Sequence, residues 1–278
     1  MADHAILIVL VAAVLHATWN AIIKGAHDKI MTLAAISFGH VLVGGLLLLW
    51  YAAPALISWW FIIASTIIHY GYYAFLVKSY QMGDLSQVYP IARGIAPIGV
   101  ALGSFVFADE DLGLWGWVAI GLVSGGIAML GVTRWELLQG KTVLYALVSG
   151  VFIALYSVVD GLGIRLSGSP GGYIGWLFVL EITICLALGV RKYARACQIP
   201  AKTWLYSVAG GIISATAYGL VLYAKTLVPL AMVSALRESS VIIAAVIGVV
   251  LFGERPWKMR LFAACVVVCG IGVLATRS

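Results

Sequence analysis

SQVYPIARGIAPIGVALGSFVFADE at residues 86–110 and LAMVSALRESSVIIAAVIGVVLFGE at residues 230–254 are two versions of one segment. A shift of 144 carries Arg93 onto Arg237 and Glu110 onto Glu254, and the same register runs without a gap from 72–132 onto 216–276. Gly126-Ile127 falls on Gly270-Ile271, Leu76-Val77 on Leu220-Val221, and Leu130 on Leu274. Two arginines inside apolar runs and two glutamates at their ends hold their places across the shift, which chance rarely supplies. Earlier in each half the match is weaker: Leu10-Val11 through Trp19-Asn20 lies over Leu147-Val148 through Tyr156-Ser157 at a shift of 137.

Working outward from this pair, the chain divides into apolar runs long enough to cross a bilayer, which takes about 20 residues of helix. Ten are found: 5–24, 31–51, 59–81, 87–108, 113–133, 141–163, 172–190, 203–225, 230–252 and 257–276. They are separated by turn residues such as Asp28-Lys29, Pro54, Gly83-Asp84, Ser169-Pro170-Gly171, Pro200, Pro229 and Glu254-Arg255-Pro256. Each copy of the repeat therefore holds five runs. Five is odd, so the second copy enters the membrane from the opposite side. The expectation is an all-α integral membrane protein, ten transmembrane helices arranged as two inverted five-helix repeats, residues 1–136 and 137–278, in a single transmembrane domain. That is an architecture of secondary transporters, whose substrate site lies near the midplane between the halves.

Composition supports the membrane class. The 278 residues are 63% hydrophobic and only 10% charged, against roughly 25% charged in soluble domains. The formal charge of +6 comes from lysines and arginines scattered between apolar runs, the pattern of loops beside membrane spans and not of a nucleic-acid surface. Four cysteines, Cys185, Cys197, Cys265 and Cys269, make no disulfide framework. The start, Met1-Ala-Asp-His, lacks a positive n-region, so the first run reads as a retained span and not as a signal peptide. No phosphate-binding loop is present, which leaves ATP out as a direct energy source.

With ten spans both termini lie on one face. The opposite face carries Lys24, Lys29, Lys78, Arg134, Lys141, Arg191, Lys192, Arg195, Lys202, Arg255, Lys258 and Arg260, while the terminal face carries Arg165, Lys225 and Arg277 beside the acidic loop Asp109-Glu110-Asp111. Basic loops stay inside, which places both termini outside the cytoplasm of a plasma (inner) membrane.

The stretches Val106-Phe-Ala-Asp-Glu110 before 113–133 and Leu251-Phe-Gly-Glu-Arg255 before 257–276, with Trp19-Asn20 in the first run, resemble the EamA-type members of the drug/metabolite transporter superfamily. The resemblance covers nearly the whole chain on short, degenerate motifs. It implies a ten-helix fold around a central cavity and the transport of metabolites, amino acids or drugs. It also implies cytoplasmic termini, the reverse of what the loop charges give.

Ionisable groups inside spans cost at least about 2.5 kcal/mol at the bilayer centre, so each needs a reason. Glu181 stands mid-run with no basic residue in its own span, as expected of a carboxylate that binds a substrate cation or carries a proton; the alternative is a neutral carboxyl bonded to a neighbouring helix. Its counterpart in the first half is His40, which packing explains as readily as ligand binding. Arg93, between Pro90 and Pro97, and Arg237 are the repeat-related cations, suited to anchoring a substrate, to gating, or to structural ion pairs on other helices. Arg237 and Glu238 are adjacent and point about 100° apart on a helix. Of the deeper aromatics, Trp19, Tyr72, Tyr73, Tyr89, Tyr156 and Tyr218 are candidates to line a cavity beside Asn20, through stacking or cation–π contact. Packing is the plainer account of any single ring. The tryptophans at run ends, Trp50, Trp59, Trp60, Trp115, Trp117, Trp135, Trp204 and Trp257, form an interfacial belt.

The expected substrate-binding set is thus Glu181, Trp19, Asn20, His40, Tyr89, Arg93, Tyr156, Tyr218 and Arg237. The register also assigns two gates, Arg93 with Glu254 on the cytoplasmic side and Arg237 with Glu110 on the outer side. Gly121 and Gly125 overlie Cys265 and Cys269, small residues four apart that allow close helix approach. Hence the chain is expected to be a monomer or a weak homodimer through helices 113–133 and 257–276. No metal site and no cofactor are expected. The leading function is a secondary transporter of small organic solutes, proton-coupled or exchanging; the alternatives are a flippase for a lipid-linked headgroup, and a membrane enzyme or redox protein using His16, His40 and His69.

Overall fold

The computed structural model describes residues 2–24, 29–82, 85–131, 140–191, 197–243, 246 and 257–277. Every regular element among them is helical. The first half gives α1 (Ala2–Lys24), α2 (Lys29–Leu48), α3 (Leu56–Met82), α4 (Leu85–Phe107) and α5 (Gly113–Gly131). The second half gives α6 (Gly140–Arg165), α7 (Pro170–Val179), α8 (Ile182–Arg191), α9 (Ala201–Ala224), α10 (Leu230–Arg237) and α11 (Trp257–Arg277). Among the described residues, eight segments are long and apolar enough to cross a membrane, with α7 and α8 counted as one. At 27 residues α3 is about 40 Å long, but His69, Lys78 and its tyrosines dilute its hydropathy. Large apolar side chains cover the exterior, Leu7, Leu46, Trp60, Phe107 and Phe262 among them. Such a surface belongs in lipid, where helices satisfy their own backbone.

Two runs are not continuous helices. The seventh, expected over 172–190, breaks between α7 and α8, where Leu180 and Glu181 form a turn and the Glu181 amide donates to Phe178 O at 3.1 Å. The ninth, expected over 230–252, breaks at Glu238, whose amide reaches back to Ala235 O at 3.0 Å, and helix resumes at 239–243. These bonds to the third residue back tighten the turn and let a side chain leave the helix line near mid-membrane. By contrast α4 runs through Pro90 and Pro97 as one helix.

The helices interlock across the halves. Along its length α3 packs on α6, as α1 packs on α9, while α5 lies directly against α11. Gly126 and Gly270 make that last approach close: a Cβ on Gly126 would sit 3.0 Å from Ala263 O, and one on Gly270 would sit 2.9 Å from Ala119 O. Gly121 and Gly125, the pair singled out from sequence, meet nothing within 4 Å, and Cys265 and Cys269 are exposed free thiols. The helices expected to join two chains thus have their closest glycine contacts within one chain.

On the terminal face the loops are tied together. Ala55 N donates to Ser167 O at 2.9 Å, and Ser169 Oγ, which caps α7, donates to Ala52 O at 2.8 Å. Arg165 spans three partners: its Nε donates to Lys225 O at 2.7 Å, Nη2 to Val228 O at 3.0 Å, and Nη1 pairs with Glu110 Oε1 at 2.7 Å.

Candidate functional site

Between the halves, α3 contributes His69, Tyr72 and Tyr73, α6 contributes Tyr156, and α9 contributes Tyr218. His69 stacks on Tyr156 with ring centroids 4.1 Å apart and planes 23° off parallel. Tyr218 and Tyr72 meet Tyr156 edge-on at 5.9 and 5.8 Å, and Tyr73 lies 5.2 Å from Tyr72. Edge-to-face and offset contacts of this kind are the favoured geometries of aromatic pairs. His69 Nδ1 donates to Ser65 O, one turn back on α3, at 2.8 Å, which fixes its ring plane.

Glu181 and His40, paired from sequence as repeat counterparts, are in direct contact. His40 Nδ1 donates to Glu181 Oε1 at 3.0 Å, and both side chains are buried. The break between α7 and α8 lets the Glu181 side chain reach α2. Its other oxygen, Oε2, and His40 Nε2 have no hydrogen-bond partner among the described residues. Phe178, one turn earlier, bridges from His40 (5.2 Å) to Tyr218 (6.3 Å).

On the other side of the rings, Arg93 meets Glu238 head-on. Nε donates to Oε2 at 3.1 Å and Nη2 lies 2.8 Å from Oε1, with side chains only 4% and 2% exposed. Arg93 therefore does find its partner on another helix, but that partner is the neighbour of its own repeat mate. Arg237 is buried with its guanidinium 5.8 Å from the Tyr218 ring centroid. Arg93 likewise lies 5.9 Å from the Tyr89 ring. His16 Nδ1 accepts the Trp19 indole N–H at 3.1 Å, so its Nε2 carries the proton of the neutral ring and donates to Tyr89 Oη at 3.2 Å. Asn20 is spent on its own helix, donating to His16 O at 2.7 Å.

The outer gate residues do not touch directly, as expected of an arginine two turns from the helix end. Glu110 does not meet Arg237; one oxygen is on Arg165 and the other accepts the Leu230 amide at 2.8 Å, where a carboxylate complements the start of α10. The reason is depth. Arg93 is eight residues from the start of α4 and Arg237 seven from the start of α10, about 10–12 Å of helix, so both stand near the midplane and neither belongs to one mouth. Glu254, assigned to the inner gate, lies outside the described residues, as does Trp135. The three histidines of the redox alternative have separate partners, and no cluster of three metal-ligating side chains occurs among the described residues.

Three further ionisable side chains lie in the interior: Asp160, which the sequence reading does not name, Glu238, named there only beside Arg237, and Lys225, named there only as a loop cation. Asp160, 0% exposed, accepts from Tyr173 Oη at 3.1 Å and from Tyr218 Oη at 2.6 Å. Lys225 Nζ donates to Ser157 O at 2.7 Å. The signal was available: Asp160 and Glu238 are acids within apolar runs, the criterion that found Glu181.

Comparison with known proteins fits this arrangement. Residues 140–276 match the model of the EamA-like transporter family. These residues, the second half of the chain, are similar to the EamA-like transporter family. The chain is also 24% identical over 132 residues to an uncharacterized transporter in the cobO 3' region of Sinorhizobium sp, across 47% of this chain and 94% of that protein. The crystal structure of a protein 18% identical in sequence superposes on 99% of this chain and 96% of that one with a TM-score of 0.75, which establishes the fold over the full length. The chain is accordingly a multi-pass membrane protein whose second half is EamA-like.

Proposed function

We propose that this protein is an EamA-family secondary transporter that moves small organic solutes, of the amino acid, amine or related metabolite type, by alternating access across the plasma (inner) membrane. The solute binds against the tyrosine cluster, and Glu181 carries the coupling proton or meets the solute's cation. The observation that carries this reading is the Glu181–His40 pair: a buried carboxylate at a helix break with one oxygen bonded and the other unpartnered among the described residues. An ionisable group inside a span is a functional group by default, and a discontinuous helix near the midplane is where transporters of inverted-repeat construction hold solutes and ions. The two halves, 1–136 and 137–278, act as the inverted repeats that exchange conformations; the reciprocal packing of α3 on α6 and α1 on α9 supports this. The working unit is a monomer or a weak homodimer through the outward faces of α5 and α11, where Gly121 and Gly125 leave open space.

The test is uptake and counterflow of labelled solutes in proteoliposomes, comparing wild type with Glu181→Gln, which keeps size and hydrogen bonding but removes the charge and the exchangeable proton. Transport falls at least about tenfold, or loses its dependence on a pH gradient, while folded yield is unchanged. Wild-type rates with wild-type pH dependence in the variant would reduce Glu181 to a structural carboxyl.

A further inference from the structure

Among the described residues the buried charges are engaged one by one, with Arg237 as the exception. Glu238 is held by Arg93, Asp160 by two tyrosines, Glu181 by His40, and Glu110 by Arg165 and the Leu230 amide. Among the cations, Arg93 has a carboxylate, Arg165 a carboxylate and two carbonyls, and Lys225 a carbonyl. Arg237 is only 7% exposed, its Nε has no hydrogen-bond partner among the described residues, and none of their carboxylates forms an ion pair with it. Its guanidinium stands 5.8 Å from the ring centroid of Tyr218.

The repeat explains how this exception arises. Glu238, which neutralises Arg93, has Gly94 as its mate at the 144 shift, so the first half supplies no equivalent acid for Arg237. Nor could it easily do so, since a Cβ on Gly94 would already stand 3.3 Å from Ser124 O and from Ala128 N of α5. A buried charge without a counter-charge costs several kcal/mol. A guanidinium presents a planar fork that matches a carboxylate through two parallel hydrogen bonds. The surroundings favour an acid with an organic body. Tyr218 is fixed by its bond to Asp160 and meets Tyr156 edge-on, and Tyr156 in turn stacks on His69, so flat apolar walls adjoin the cation.

We infer that Arg237 receives the carboxylate of the transported solute, so that the substrate class is organic acids or zwitterions and not simple amines. The carboxylate takes toward Arg237 the place that Glu238 takes toward Arg93. This rests on the transport reading of the same site, but binding can be measured without transport.

The experiment follows thermal unfolding of the purified full-length protein in detergent by tryptophan fluorescence, with sodium benzoate as probe and benzamide, sodium chloride and sodium phosphate as controls at matched sodium. Benzoate raises the melting temperature with concentration, as mass action requires of a ligand that binds only the folded state, and the controls do not. Arg237→Met abolishes that shift, and without ligand it melts at or above the wild-type temperature, because it removes an uncompensated charge. Arg93→Met, which strands Glu238, melts lower. No benzoate shift in wild type, an equal shift with benzamide, chloride or phosphate, or an Arg237→Met protein destabilised like Arg93→Met would each overturn the assignment. A benzoate shift that depends on Arg237, in a protein that moves no solute in proteoliposomes, would sink the transport reading and leave the carboxylate site standing. Transport with no response to benzoate does the reverse.

Discussion

Arg93 and Glu238 show what a buried ion pair does in this interior. The mutual attraction recovers much of the desolvation cost of both groups, so the pair is worth less than its geometry suggests, while either partner alone is a liability. Arg93→Met and Glu238→Met should each destabilise the protein by about 3–5 kcal/mol. The double variant should recover most of that, because two apolar side chains then replace two satisfied charges. Melting temperatures of the four proteins in one detergent check this, and a double variant worse than both singles would show that the pair contributes net stability. The participants were partly legible. Arg93, Arg237, Glu181 and His40 stand out because a charge or imidazole inside an apolar run is costly. Glu238 draws notice only as the neighbour of Arg237, from which it points about 100° away, and Asp160 is masked by its place near the end of the run 141–163. Who pairs with whom was not legible at all: the residues that meet are 145 and 141 positions apart, and their spacing holds no periodicity that a one-dimensional reading can use.

At the level of elements, the runs gave the helices and the ends gave most of the turns, but hydropathy says nothing about breaks at Glu181 and Glu238. Both breaks keep helical or near-helical dihedrals, as at Leu180 (φ −65°, ψ −18°) and Glu238 (φ −69°, ψ −11°), so no glycine or proline marks them. The terminal-face latch was also out of reach, since Arg165 looked like an ordinary loop cation. It joins the end of α6, the turn after α9 and the acidic loop before α5 through three donors. A contact made in only one conformation shifts the balance between conformations by its own energy. Weakening the latch should therefore open the terminal face. On a background with all four cysteines replaced, a reporter cysteine at the buried Ser167 is expected to react at least about tenfold faster with a water-soluble maleimide when Arg165→Met is added. Glu110→Gln should act in the same direction and more weakly, because the two carbonyl bonds survive. Unchanged labelling in both variants would make Arg165 a static brace.

For the whole molecule the open quantity is orientation, and here charge and kinship disagree. Positive residues are retained on the cytoplasmic side during insertion, counted over short loops near span ends. Twelve lie on the face opposite the termini and three on the terminal face. Two of the three do not act as free loop charges in the folded protein: Arg165 is paired with Glu110 and bonded to carbonyls, and Lys225 is buried with its ammonium on Ser157 O. The twelve-to-three bias sets the predicted result. A green fluorescent protein fused after Ser278 should stay dark in living cells, since it matures only in the cytoplasm. The same fusion on a chain lacking α11 should glow, because removing one span moves the new terminus across the membrane. Reversed signals, bright on the full chain and dark on the truncation, would put both termini in the cytoplasm as the family resemblance implies. The helix arrangement and the central site would be untouched by that outcome, because both follow from packing inside the chain, but the latched face would then be the one turned outward no longer, and the Arg165 latch would close the cytoplasmic mouth.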